Sequence, residues 1–360
     1  MTDNSFPPIF DGHNDTILNL YQQERGAGRS FFKASEVGHI DLPRARAGGL
    51  AGGFFAMFTP NPAKSRPYKD PTKGLGDNAE TFEIPLPPRL KHKYALRYTH
   101  GMLAQLLQIV EQAEGELQIV RTAAELETCL QNDIFAIVLH IEGAEAIDTN
   151  LDSLHVFHAA GLRSLGPVWS RPTKFAEGVP FAFPAGPDIG EGLTEAGVAL
   201  TKACNKLNIM IDLSHLNEKG FWDIARLSDA PLVATHSNAY ALCPSPRNLT
   251  DKQLDAVAES GGVVGINYHV GFLREDGNSF METSLTEIVR HARYIADRIG
   301  IDHVALGSDF DGAKMPDDLK DAAGLPKLMT AFQEAGFDDN ALAKIAYQNW
   351  VRVGQETWGA

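Results

Sequence analysis

The stretch Phe135-Ala136-Ile137-Val138-Leu139-His140-Ile141-Glu142-Gly143 holds an apolar run with no polar alternation before it reaches a histidine and a carboxylate. A short run of this kind is expected of a parallel strand covered on both faces. A carboxylate at the end of a fully buried strand is costly unless it is paired or coordinated. The competing reading of Glu142 is a helix N-terminal residue favoured by the helix dipole.

Similar runs recur on both sides of this stretch. Strands are predicted near residues 9–11, 50–57, 135–140, 162–168, 209–213, 232–235, 262–267 and 303–307, all rich in Val, Ile, Leu and Phe. Helical patterns lie between most of them. Residues 95–113 carry Met102, Leu103, Leu106, Leu107 and Val110 at helical spacing. Residues 193–207 and 284–299 read the same way. Thr250 is placed to cap a helix over 251–259, and Gly261 and Gly262 to stop it.

Eight strands alternating with helices predict an α/β fold, a (β/α)8 TIM-type barrel. The rival is an open doubly wound sheet, whose site gathers near one switch point. Here the candidate polar residues are spread over the ends of many strands, from Asp11 to Asp311, which favours the barrel. With no internal repeat and no interdomain linker, residues 1–360 are expected to form one domain. Two segments break the alternation: residues 59–93, rich in Pro, Lys and Gly, and residues 170–191, with Phe175, Phe181 and Phe183 among Pro and Gly. Each follows a predicted strand, so each is a long loop on the catalytic face, or else a surface excursion or subunit contact.

Composition narrows the function. The 360 residues include 32 Lys and Arg against 46 Asp and Glu, a net charge of −14. That balance argues against nucleic acid or an anionic membrane as partner, because both need clustered basic residues. The three cysteines, Cys129, Cys204 and Cys243, form no CxxC pair, which excludes a disulfide scaffold and suits a reducing compartment. No leader is read at the start, no bilayer-length apolar run within the chain and no lipid-anchor tail at the end, so a soluble, cytoplasmic protein is expected.

Four further constellations join His140-Ile141-Glu142. In Asp11-Gly12-His13-Asn14-Asp15, residues i and i+2 point the same way from a strand, so the His13 imidazole and Asp15 carboxylate can converge on one ion, with Asp11 as support. The competing reading is a polar turn. Asp212-Leu213-Ser214-His215 and Thr235-His236-Ser237-Asn238 each put a histidine at the end of an apolar strand. One such histidine is ordinarily structural, but two on consecutive strands, facing an HxD pair and a Glu, point to metal. Imidazole and carboxylate without thiolate suit Zn2+, with Mn2+, Co2+ or Ni2+ as alternatives. In Gly307-Ser308-Asp309-Phe310-Asp311-Gly312, Asp309 ends the last strand and is placed to bind metal and move a proton. The spelling also suits a Gly/Asp turn, while the remaining acids of a calcium loop are missing. These residues leave open whether one ion or two are held. His39, His92, His100, His155, His158 and His291 fall in loops or predicted helices and are read as structural; His269 and His303 stay ambiguous.

In this order, with Pro246-Arg247-Asn248-Leu249-Thr250-Asp251 after the second histidine, the motifs resemble the membrane (renal) dipeptidase family, peptidase family M19, from Asp11 to about Gly312. Lacking the leader and lipid anchor of the mammalian members, the chain is similar to soluble bacterial-type ones. The resemblance implies an amidohydrolase-like barrel with two divalent ions, Zn2+, and hydrolysis of dipeptides by water activated between them. His13, Asp15 and Asp309 would hold one ion, His215 and His236 the other, and Glu142 both. Asp309 and Glu142 would be the catalytic groups. Arg247 would take the substrate's free carboxylate, and Asn267, Tyr268 and His269 would lie near it. L-Xaa-D-Xaa dipeptides are included among the implied substrates, and homodimers are a habit of the family. One departure stands out: where the family has a histidine after the fourth strand, this chain has Trp169 in Pro167-Val168-Trp169-Ser170-Arg171. Tryptophan donates only, so the oxyanion falls to the indole, to Arg171 or to the second ion. The alternatives are a barrel hydrolase for another amide, a lactone or a phosphoester, and a non-catalytic metal-binding homologue.

Overall fold

The computed structural model describes residues 6–62 and 80–359. Residues 1–5, on which part of the reading of the start rests, and residues 63–79 of the first long loop lie outside the described residues. All eight predicted strands form: β1 (Ile9–Asn14), β2 (Leu50–Phe58), β3 (Phe135–Glu142), β4 (Leu162–Gly166), β5 (Met210–Ile211), β6 (Val233–Ser237), β7 (Val263–Ile266) and β8 (Val304–Leu306). They pair in parallel, β1 through β5 in one sheet and β6 through β8 in another. Parallel bridges between Asp212 and Val233 and between Asn14 and Phe310 join the two sheets at both seams. The result is the closed parallel α/β barrel expected from the sequence, not an open sheet.

Strand alternation sets what faces where. Phe135, Ile137, Leu139 and Ile141 of β3 pack in the large apolar cluster that includes the outer helices, whereas Ala136 and Val138 join Phe10, Phe54, Val233, Val263 and Ala305 in a second cluster. By the same parity His140 and Glu142 continue the inner face toward the C-terminal mouth. Trp350, in the helix Asn349–Trp358, belongs to the inner cluster and donates its indole N–H to the Leu306 carbonyl at 3.0 Å. A Cβ at Gly12 would collide with that ring, so the second residue of the Asp-Gly-His motif has to be glycine.

The helices follow the predicted pattern. Asp251–Glu259 starts at the Thr250 and Gln253 capping box, and Ser284 caps Leu285–Ile299. Helix Glu195–Leu207 begins two residues later than its apolar pattern, because the Thr194 hydroxyl caps it by accepting the Gly197 N–H at 3.1 Å. The two long loops meet each other: Phe82–Ile84 pairs antiparallel with Phe181–Phe183. This brings the second loop, through Phe181, over the mouth of the barrel.

Candidate active site

The polar ends of the strands converge. His13 of β1, Glu142 of β3 and His236 of β6 are buried, and His215 follows β5 while Asp309 follows β8. His13 Nε2 lies 3.8 Å from both Asp15 Oδ2 and Glu142 Oε1. The same Glu142 oxygen is 3.0 Å from His215 Nε2 and 3.5 Å from His236 Nε2, and those two nitrogens are 3.1 Å apart. His13, Glu142 and His236 bring ligand atoms within 4.8 Å of one another, and so do His13, Asp15 and Asp309.

This donor set fits divalent metal. His13 has no hydrogen-bond partner on either ring nitrogen, although the residue is fully buried. The far nitrogens of the other two rings are held by hydroxyls: His215 Nδ1 by Ser170 Oγ and His236 Nδ1 by Thr235 Oγ1, both at 2.8 Å. That leaves the two Nε2 atoms pointing at the shared carboxylate. Charge tells the same story. Burial, with Arg247 and His13 nearby, holds His215 and His236 well below the usual histidine range, so both are neutral, the form that binds metal. Burial, together with the Asp15 and Asp309 charges, raises Glu142 well above the usual carboxylate range. Burial also lowers His13, but the charges of Glu142, Asp15 and Asp309 outweigh it and carry His13 up to about 10. A crowd of buried carboxylates that draws a proton onto an interior imidazole is one a divalent cation would neutralise.

Two of the nine non-glycine residues with positive φ among the described residues belong to this cluster. His215 and Asp309 both sit in the left-handed region, at φ 67° and 61°. Non-glycine residues there cost on the order of 1–3 kcal/mol and gather at functional sites. The Asp309 N–H is tied to the His13 carbonyl at 2.9 Å, which locks β8 to β1. Gly312 packs so closely behind that a Cβ would collide with Asp15 Oδ2 and Asp309 Oδ1. Burial pushes the Asp309 carboxyl up to about 6, against the pull of His13 and of the Asn267 amide, which donates to Oδ2 at 2.9 Å.

The remaining sequence candidates part ways. Arg247 is buried, 2 % exposed, and donates to the His236 carbonyl at 3.2 Å with its guanidinium over the Phe272 ring. The nearby acids of the following helix, Asp251 and Asp255, pair with Arg298, at 3.0 and 2.7 Å. Among the described residues no carboxylate forms an ion pair with Arg247. Asn267 reaches Asp309, and His269 lies edge-on to Phe272. Tyr268, between them, points the other way and packs in the core against Phe310, so it is not part of this cluster. Arg171 is also spent elsewhere: it pairs with Glu145 at 2.8 Å and donates to the Thr59 carbonyl at 3.1 Å.

Trp169 is partly exposed, its ring centre 5.9 Å from His215, 4.9 Å from Phe58 and 5.5 Å from Phe181. Phe181 in turn stacks on Phe272. The sequence reading did not single out Phe181 and Phe272 as site residues, because the strand Phe181–Phe183 and the helix Val270–Leu273 that carry them are too short to show a period. It also passed over Ser170 and Thr235, whose hydroxyls matter only through neighbours fixed by folding. The aromatic wall predicts that Trp169→His and Trp169→Ala shift relative rates across a panel of dipeptides differing in side chain. Unchanged relative rates in both variants would make Trp169 mere packing.

The whole chain is similar to known proteins. The membrane dipeptidase family (peptidase family M19) matches residues 5–358 of the chain. Among solved structures the chain is similar to a metallo-peptidase described as dipeptidase AC, at 49% identity and a TM-score of 0.94, covering 99% of this chain and 100% of that one. It is similar also to a metallo-peptidase from Rhodobacter sphaeroides, at 49% identity and a TM-score of 0.93, covering 98% and 100%; that protein carries a phosphinate mimic of the dipeptide L-Ala-D-Ala. A protein encoded in the pqqA 5' region of Klebsiella pneumoniae is 50% identical over 256 residues, 71% of this chain and 94% of the relative.

Proposed function

The chain belongs to the membrane dipeptidase family and is a metallo-dipeptidase, and from that premise we propose a two-zinc enzyme that cleaves dipeptides bearing a free C-terminal carboxylate. His13, Asp15 and Asp309 would hold one ion, His215 and His236 the other, and Glu142 both. The observation that carries this reading is the meeting of three imidazoles on one oxygen of Glu142, at 3.0, 3.5 and 3.8 Å. When bound, such ions lower the pKa of water and polarise a carbonyl. Asp309 takes the proton of the attacking water and passes it to the leaving amine, and Asn267 keeps its carboxylate aimed. Arg247 grips the substrate carboxylate, since a buried guanidinium without a carboxylate partner is a ready fork for one. Trp169, Phe181 and Phe272 wall the substrate and limit water.

The ligand of the Rhodobacter sphaeroides relative supports L-Xaa-D-Xaa dipeptides among the substrates. Three free, buried cysteines support a cytoplasmic setting, and no helix of the described residues is long and apolar enough to cross a membrane. A hydrolysis screen of L,L-, L,D- and D,L-dipeptides with Zn2+ added tests the reading. Turnover of none of them would sink it.

Arg247→Met separates clamp from scaffold. Truncating one partner of a buried charge pair costs roughly 2–5 kcal/mol, on the order of 30- to several-thousand-fold in kcat/KM at about 1.4 kcal/mol per decade. Free dipeptides should lose that much, while the weaker hydrolysis of dipeptide amides should be spared. An equal fall for both would place Arg247 in support of the fold or the metals.

A further inference from the structure

Asp212 is buried beside the cluster, its Oδ2 4.0 Å from His236 Nδ1, and it is a meeting point for hydrogen bonds from two strands. Its Oδ1 accepts the Ser214 N–H at 3.0 Å and the Thr235 N–H at 2.8 Å, and its Oδ2 accepts the Thr235 hydroxyl at 2.7 Å. The Ser214 hydroxyl then accepts the His236 N–H at 3.1 Å. The carboxylate therefore stitches the segment after β5, which carries His215, to β6, which carries His236. It lies 1 % exposed, with His140 Nε2 at 3.6 Å on its far side.

The direction of the protons follows from the inventory of donors. A carboxylate only accepts, so the single proton of the Thr235 hydroxyl is spent on Asp212. Thr235 Oγ1 then meets His236 Nδ1, 2.8 Å away, with a lone pair, and Nδ1 must carry the ring proton. We propose that Asp212 and Thr235 are positioning residues that set the tautomer of His236, keeping the Nε2 lone pair on the metal side. The proposal rests on the metallo-dipeptidase reading only for its consequence in turnover; its direct consequences are a tautomer and a Zn2+ affinity. Partners of this kind, one bond behind a ligand, typically tune metal affinity or activity by roughly 10–100-fold.

Asp212→Asn tests it, because the near-isosteric amide reverses the relay. Its NH2 donates to Thr235 Oγ1, the hydroxyl proton turns to His236 Nδ1, and the ring proton moves to Nε2, where it blocks the metal. Long-range proton–nitrogen NMR of the metal-free protein should show His236 protonated on Nδ1 in wild type and on Nε2 in Asp212→Asn. Chelator competition with Zn2+ should show about 10–100-fold weaker binding of one ion. Thr235→Val removes the hydroxyl without reversing it and should also weaken that ion, while Thr235→Ser should restore wild-type affinity; this pair decides the matter if Asp212→Asn does not fold. Wild-type Zn2+ affinity in Thr235→Val, or an unchanged His236 tautomer in folded Asp212→Asn, overturns the relay and leaves the dipeptidase reading standing. A wild-type chain that binds Zn2+ but cleaves no dipeptide overturns that reading, and the same affinity comparison still decides the relay.

Discussion

His236→Ala is expected to bind one divalent ion fewer than wild type and to lose turnover altogether, with His215→Ala behaving alike. Each imidazole brings a neutral nitrogen to the shared Glu142 oxygen, and the two nitrogens stand 3.1 Å apart. Removing one leaves a single histidine and the shared carboxylate, too few protein ligands for a Zn2+ site that ordinarily has three or four. The loss should exceed the roughly 10–100-fold typical of partners one bond further out. A smaller buried side chain also opens a void beside His13, whose ring centre is 3.8 Å from that of His236, so the melting temperature of the metal-free variant is measured alongside. Metal content by elemental analysis and kcat on one good dipeptide are the readouts. Full occupancy with wild-type kcat in either variant would remove that histidine from the ligand set.

Asp309→Asn should fold, keep metal and lose most of its activity. The amide has the size of the carboxylate and can still approach an ion through its oxygen, but it cannot take up and return a proton. General acid–base catalysis contributes roughly 10²–10⁴-fold, and a fall of that size in kcat is expected. The left-handed backbone at φ 61° favours the variant's folding, because asparagine tolerates that region as well as aspartate does. Asn267, whose Oδ1 is held by the His269 N–H at 2.7 Å, then faces an amide in place of a carboxylate, and the hydrogen bond is kept when that amide turns its oxygen to Asn267 Nδ2. If kcat falls less than about tenfold with metal intact, the proton travels through another group.

The strands were legible because a barrel strand is apolar on both faces, but their ends were not. The apolar run 135–140 extends in the structure to Glu142, and 9–11 extends to Asn14. In both cases polar residues of the site continue the ladder, where a pattern of apolar residues alone ends the strand early. The opposite error occurs at 209–213, which shortens to Met210–Ile211. There the backbone still bonds to both neighbours, Asp212 N–H to the Leu165 carbonyl at 2.9 Å and Leu213 N–H to the Val233 carbonyl at 2.8 Å, but as an isolated bridge beyond the short ladder.

Local sequence determined the eight strands, several helix caps and the side chains His13, Asp15, Glu142, His215, His236 and Asp309, because period, capping and strand parity act over a few residues. Which candidates share a site was decided only by closure of the barrel. It aims three imidazoles at one oxygen of Glu142, ties β8 to β1 through the Asp309 N–H, and buries Arg247 away from Asp251 and Asp255. It also turned Tyr268 into the core, committed Arg171 to Glu145 and set Asp212 beneath His236 through Thr235. Those outcomes depend on partners up to hundreds of residues away, and a hydrogen bond acts only over the last three ångströms, a distance that no spacing along the chain encodes.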